Sequence, residues 1–215
     1  GNNKSLFVTS TVALGAGAKM DGNIYAGTTV ALGADAEMDG NIYAGTTLAL
    51  DAGASTTGSL NARTTVALGA HALVTGDVTG GTTVVLAANS NVTGNVTSIN
   101  SYVDLGADAR GEGFTTSETG ATTLGAGAST CQTVTAMTAT LGAGASVRGN
   151  LHAVTTTLGA NGIVTGNLGG PTGVTTTMGA NACFGTMSSG MTTTLGAGAG
   201  VCTPLQSTAA GDRCL

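Results

Sequence analysis

The sequence predicts an all-β fold, a single-domain β-solenoid (a triangular β-helix) of about 11 coils with an ~18-residue repeat, and three observations carry that prediction. One phrase recurs from end to end, in its cleanest form AGTTVALGADAEMDGNIY from Ala26 to Tyr43. Its phase is constant. Taking the apolar residue before each Gly-Ala step as marker gives Leu14, Leu32, Leu50, Leu68, Leu86, Leu105, Leu124, Leu141, Leu158, Met178 and Leu195. The first five are spaced by 18, and the later gaps are 19, 19, 17, 17, 20 and 17. The third observation is composition. With 37 Gly, 3% aromatic residues and no Trp, the chain cannot fill a wide globular core, but Ala, Val, Leu and Ile suit a narrow, stacked one. Thr and Val favour strands, and the strict repeat is unlike the charged, apolar-poor composition of disordered chains.

Within a coil, an even period of 18 keeps each position on the same side from one coil to the next. In the coil around Leu32, the alternation points Val30, Leu32, Ala36, Met38, Ile42 and Ala44 inward. Thr29, Ala31, Glu37, Asp39, Asn41 and Tyr43 then point out. Gly33 with Ala34, and Gly40, mark corners, where a missing Cβ permits tight or left-handed backbone. Three short strands per coil follow, hence a triangular cross-section. Eleven coils at roughly 4.8 Å each make a rod about 50 Å long.

The ends differ. Ser5, Leu6 and Phe7 align with Asn23, Ile24 and Tyr25, so the repeat begins almost at once and no dedicated cap precedes it. An uncapped solenoid presents open strand edges that invite another chain. The solenoid is assigned to residues 1–202. Residues 203–215 leave the repeat, contain Pro204 and Cys214, and are assigned as a cap or clasp. Four cysteines, Cys131, Cys183, Cys202 and Cys214, contain no Cys-x-x-Cys metal pair and are read as two disulfides of a secreted, extracellular protein. Cys183 and Cys202, on neighbouring coils, are within bridging reach if stacked, which leaves Cys214 for Cys131; the alternative is a terminal loop closed by Cys202 and Cys214. The start GNNKSLF, with neither Met nor an apolar leader, reads as a processed product.

Composition narrows function. A net charge of −5 with six Lys and Arg spread over the chain gives no basic stripe, so nucleic acid is excluded as a partner. No apolar run reaches membrane-spanning length. No cofactor or metal is expected: GK[ST] phosphate loops and the calcium-binding nonapeptide are absent, and the stacked pairs Asp21/Asp39 and Asn23/Asn41 read as a hydrated polar face. His71 and His152 are far apart in ordinary repeat slots and read as surface residues, so no catalytic residue is assigned and the chain is not read as an enzyme.

The outward residues of the strand before each marker are mostly threonine. Late in the chain they form pairs: Thr138 and Thr140, Thr155 and Thr157, Thr175 and Thr177, Thr192 and Thr194. Early on, Thr11, Thr29, Thr47 and Thr65 are followed two residues later by Ala13, Ala31, Ala49 and Ala67. Val85, Tyr102, Asp104 and Ala121 interrupt the columns between these two patches. A flat parallel sheet sets such threonines on a grid of about 4.8 by 6.6 Å, near repeats of the ice lattice. These ranks resemble the ice-binding face of solenoid antifreeze proteins, and the resemblance implies adsorption to ice without catalysis.

The whole repeat points elsewhere. VALGADAEMDGNIYAGTTLAL (Val30 to Leu50) and ATLGAGASVRGNLHAVTTTLG (Ala139 to Gly159) resemble the bactofilin repeat. That resemblance implies a triangular β-solenoid that polymerises end to end into filaments without nucleotide. Two functions therefore stand at this stage. The leading one is ice binding by the threonine face, and its alternative is a self-assembling extracellular structural subunit stacked head to tail. The partner is accordingly an ice surface or other copies of the same chain.

Overall fold

The structure, a computed structural model, describes residues 4–170, 174–188 and 192–202. All its regular elements are β-strands, from Leu6–Val8 to Gly200–Val201, and the pairings between them are parallel and join neighbouring coils. The coil around Leu32 shows the plan. Val30–Leu32, Glu37–Asp39 and Ile42–Ala44 form three faces, called here the threonine face, the polar face and the narrow face. Residues 203–215, the expected cap or clasp, lie outside the described residues.

The marker residues form one uninterrupted column. Register pairs Leu14 with Leu32, Leu32 with Leu50, and so on through Leu158 with Met178 and Met178 with Leu195. From Leu32 to Met178 none is more than 2% exposed. Val30, Ala36, Met38, Ile42 and Ala44 are likewise buried, and Glu37, Asp39 and Tyr43 lie on the surface. A buried leucine side chain contributes about 1.5–3 kcal/mol, so repetition along the rod, not depth of packing, supplies the core.

The corner after each marker is regular in a way the Gly-Ala step does not reveal. Left-handed backbone falls three residues past the marker, on Gly17, Asp35, Gly53, His71, Asn89, Asp108, Gly127, Gly144, Asn161, Asn181 and Gly198. Asp35 has φ 57° and His71 φ 61°. Gly, Asn and Asp tolerate this region at least cost, which explains the residue set. Gly33 serves a different need. A Cβ there would sit 2.8 Å from the backbone nitrogen of Ala16, so this glycine permits close approach of successive coils, not a left-handed turn. Gly40, at φ 142°, does adopt a conformation that favours glycine.

The uneven repeat length is absorbed chiefly at one corner, between the narrow face and the next threonine face. In 18-residue coils that corner is a distinct turn, as from Leu60–Ala62 to Thr65–Leu68. In the 17-residue coils it vanishes, and the two strands fuse into Val134–Leu141 and Leu151–Leu158. The last shortening differs. A register shift between Val164 and Asn167 takes up a residue within Ile163–Gly169.

The core also changes character along the rod. In the first half the buried hydroxyls of Thr56, Ser90 and Ser98 donate to backbone carbonyls, whereas Thr115, Thr122, Thr130, Thr156 and Thr176 are buried further on, with hydroxyl oxygens that have no hydrogen-bond partner. The middle residues of two Thr-Thr-Thr runs, Thr156 and Thr176, are thus core residues. No helix among the described residues is long and apolar enough to cross a membrane.

Candidate functional surfaces

The late threonine ranks align without slippage. Thr138, Thr155, Thr175 and Thr192 form one column and Thr140, Thr157, Thr177 and Thr194 the other. Most are exposed; Thr140 is half-buried. Thr123 extends the second column by one coil through its pairing with Thr140, a residue the sequence reading missed because Ala121 beside it breaks the pair. Thr11, Thr29, Thr47 and Thr65 stack with Ala13, Ala31, Ala49 and Ala67 beside them, so the early grid has one hydroxyl column where the late grid has two. Tyr102 and Asp104 interrupt the face, with Tyr102 42% exposed.

The polar face holds its coils together with side chains. The Asn23 Oδ1 accepts from the backbone N–H of Asn41, and Asn41 Oδ1 accepts from that of Ser59, both at 2.8 Å. Ser59, Asp77 and Asn95 continue the series, the last accepting from Phe114 N–H at 2.9 Å. The asparagine stack therefore spends its oxygens on the backbone. Asp39 accepts from Thr57 Oγ1 at 2.5 Å, and Lys19 pairs with Glu37 at 2.7 Å across an exposed surface, where such pairs contribute little. No group of His, Cys, Asp and Glu able to hold a metal is found among the described residues. His71 is exposed at its left-handed corner, and His152 lies half-buried on the narrow face opposite Thr135 and Gly169.

Cys183 is bonded to Cys202, with the two Cα atoms 4.8 Å apart on adjoining coils. The alternative pairing of Cys202 with Cys214 is therefore not the one formed. Cys131 is no free thiol either, and Cys214 lies outside the described residues.

Among the described residues the first coil has a neighbour on one side only. Leu6 is 36% exposed, although its column mates Ile24 and Ile42 are fully buried, and Phe7 is 73% exposed. Leu6–Val8, Val12–Leu14 and Lys19–Asp21 each pair with one described strand only, the equivalent strand of the next coil. Their other edges carry backbone donors and acceptors that a further parallel or antiparallel strand satisfies. On the narrow face Phe7, Tyr25 and Tyr43 stack into a ladder, with ring centroids 4.7 and 4.9 Å apart. At the other end of the described rod, Leu195 is 53% and Val201 64% exposed, whereas Met178 and Phe184 one coil earlier are buried.

These features define a self-templating parallel β-solenoid, in which each coil is the hydrogen-bonding mould for the next. Residues 12–113 match the model of the bactofilin family, described as polymer-forming cytoskeletal. The likeness read from the repeat phrase is thereby shown, and the matched stretch contains the first quoted phrase, Val30 to Leu50, while the second lies beyond it. No curated protein and no solved structure matches the chain. The cytoskeletal description overturns the expectation of a secreted, extracellular protein. Cysteine content misled because stacking alone brings near-equivalent positions within about 5 Å, whatever the compartment.

Proposed function

We propose that this chain is the subunit of a filament that grows by stacking solenoid ends, head to tail, as a structural element without catalysis. The observation that carries the reading is the first coil, where Leu6 sits in a core column yet is 36% exposed beside three strand edges with one partner each. Head-to-tail stacking continues the parallel register, covers Leu6 and satisfies those edges. The match of residues 12–113 to a polymer-forming family supports the same reading. Leu6→Lys places an inward charge on the edge, a device that blocks strand addition. Electron microscopy is expected to show filaments for the unaltered chain and dispersed short rods for Leu6→Lys at unchanged circular dichroism. Filaments of Leu6→Lys equal in number and length to those of the unaltered chain overturn it.

One observation favours a second reading, ice binding through Thr155, Thr157, Thr175 and Thr177. These residues stand in register on a flat face and are exposed, and the sequence carries no charged side chain between Arg148 and Asp212. The comparisons with known proteins add nothing to it. Ice shaping by the purified protein, lost in Thr157→Lys, is its test, and unshaped ice at high protein concentration removes it.

A further inference from the structure

Beside the aromatic ladder runs a trough of about 490 Å³. Its floor is Val8, Ala26 and Ala44, and one wall is Phe7, Tyr25 and Tyr43. The opposite wall is Thr9, Gly27 and Gly45. A Cβ on Gly27 would lie 2.1 Å from the Thr9 carbonyl oxygen, and one on Gly45 would lie 1.9 Å from that of Gly27, so at these two positions the coils approach too closely for a side chain. The trough stops at the next coil, where Asn61 follows Tyr43 in register and Arg63 follows Gly45. Arg63 is exposed, and its guanidinium takes part in no ion pair among the described residues.

The rings are within 6° and 2° of parallel, so Tyr25 has both faces covered, Phe7 and Tyr43 one each, and the ring edges line the trough. Aromatic edges are the positive part of the ring quadrupole. A floor of small apolar side chains, a wall of positive ring edges and an exposed arginine one coil beyond Gly45 are together complementary to one kind of guest. The geometry points to a binding site for a flat aromatic anion, its rings lying along the trough and its acidic group at Arg63. Three coils span about 10 Å between their centres, which suits a molecule of two or three fused or linked rings.

The test uses the full chain and two dyes. Anilinonaphthalene sulfonate, flat and anionic, is expected to bind saturably at one site per chain. Tyr43→Ala and Arg63→Glu are each expected to weaken it about tenfold, equivalent to ~1.4 kcal/mol. Tyr43→Phe and Arg63→Lys, which keep the ring and the charge, are expected to retain binding. Thioflavin T, flat but cationic, is expected to bind the unaltered chain at least about tenfold more weakly and to gain affinity in Arg63→Glu. Absence of saturable binding, equal binding by Tyr43→Ala, or equal affinity for both dyes overturns the site. So does loss of filaments in Tyr43→Ala, because the trough would then be covered by a second copy. Loss of filaments in Leu6→Lys, with dye binding kept, leaves this site standing and bears only on assembly.

Discussion

The Asn23 side-chain oxygen accepts a 2.8 Å hydrogen bond from the backbone N–H of Asn41, one coil further on, and Asn41 repeats the contact to Ser59. A stack that reads in sequence as a hydrated face, or as a loose cation site, is thus a series of clamps across a corner. Replacing Asn41 with Ala removes the acceptor and leaves the half-buried Ser59 N–H without its partner, at an expected cost of about 1–2 kcal/mol in urea unfolding. Asn41→Asp is expected to cost less, because Asp77 makes the same contact to Asn95. Equal losses for the two variants would contradict the clamp.

The buried threonines predict a gain. Thr156 and Thr176 are 1% and 0% exposed, stack in register and have no partner for their hydroxyls. Valine keeps the shape and removes a polar group whose burial costs about 1–3 kcal/mol. Thr176→Val is expected to raise the melting temperature, with stability higher by about 1 kcal/mol. A lower melting temperature would show that the hydroxyl is satisfied in solution.

Reduction of the Cys183–Cys202 bond releases the coil that contains Val201. Its loop spans 19 residues, for which chain entropy gives about 3 kcal/mol. Reductant is therefore expected to lower the unfolding midpoint, and non-reducing peptide mapping is expected to recover Cys183 and Cys202 in one linked peptide pair. Recovery of Cys202 linked to Cys214 would contradict the structure.

At the corner of His71, φ is 61°. Asn, found there in other coils, is expected to be neutral or stabilising, whereas Val is expected to cost about 1–2 kcal/mol, because a branched Cβ meets the carbonyl oxygen in the left-handed region. Equal stability of His71→Asn and His71→Val by thermal unfolding would refute this assignment.

Much of the fold was legible because a solenoid writes its geometry as a period. Leu32, Leu50 and Leu68 announce a single inward column, and alternation around them places Met38 inside and Glu37 outside. What escaped depends on contacts between coils that no single coil encodes. Gly33 looked like the turning residue, yet Asp35 turns and Gly33 makes room. Alternation already sends Thr156 and Thr176 inward, but nothing in the sequence shows that their hydroxyls have no partner there. The likeness of Phe7 to Tyr25 was visible as an alignment, while the trough beside the ladder required knowing that Gly27 and Gly45 stack across from it. Compartment was misread from Cys183 and Cys202, whose proximity follows from coil stacking.

The central claim is that the first described coil is an assembly edge. Cryo-electron microscopy of the full chain at rising concentration tests it most directly, by resolving the junction between subunits. The account predicts filaments in which the strand spacing of about 4.8 Å runs unbroken across each junction and a strand of the neighbouring subunit covers Leu6. Isolated rods about 50 Å long at every concentration, with Leu6 still open to solvent, would contradict it.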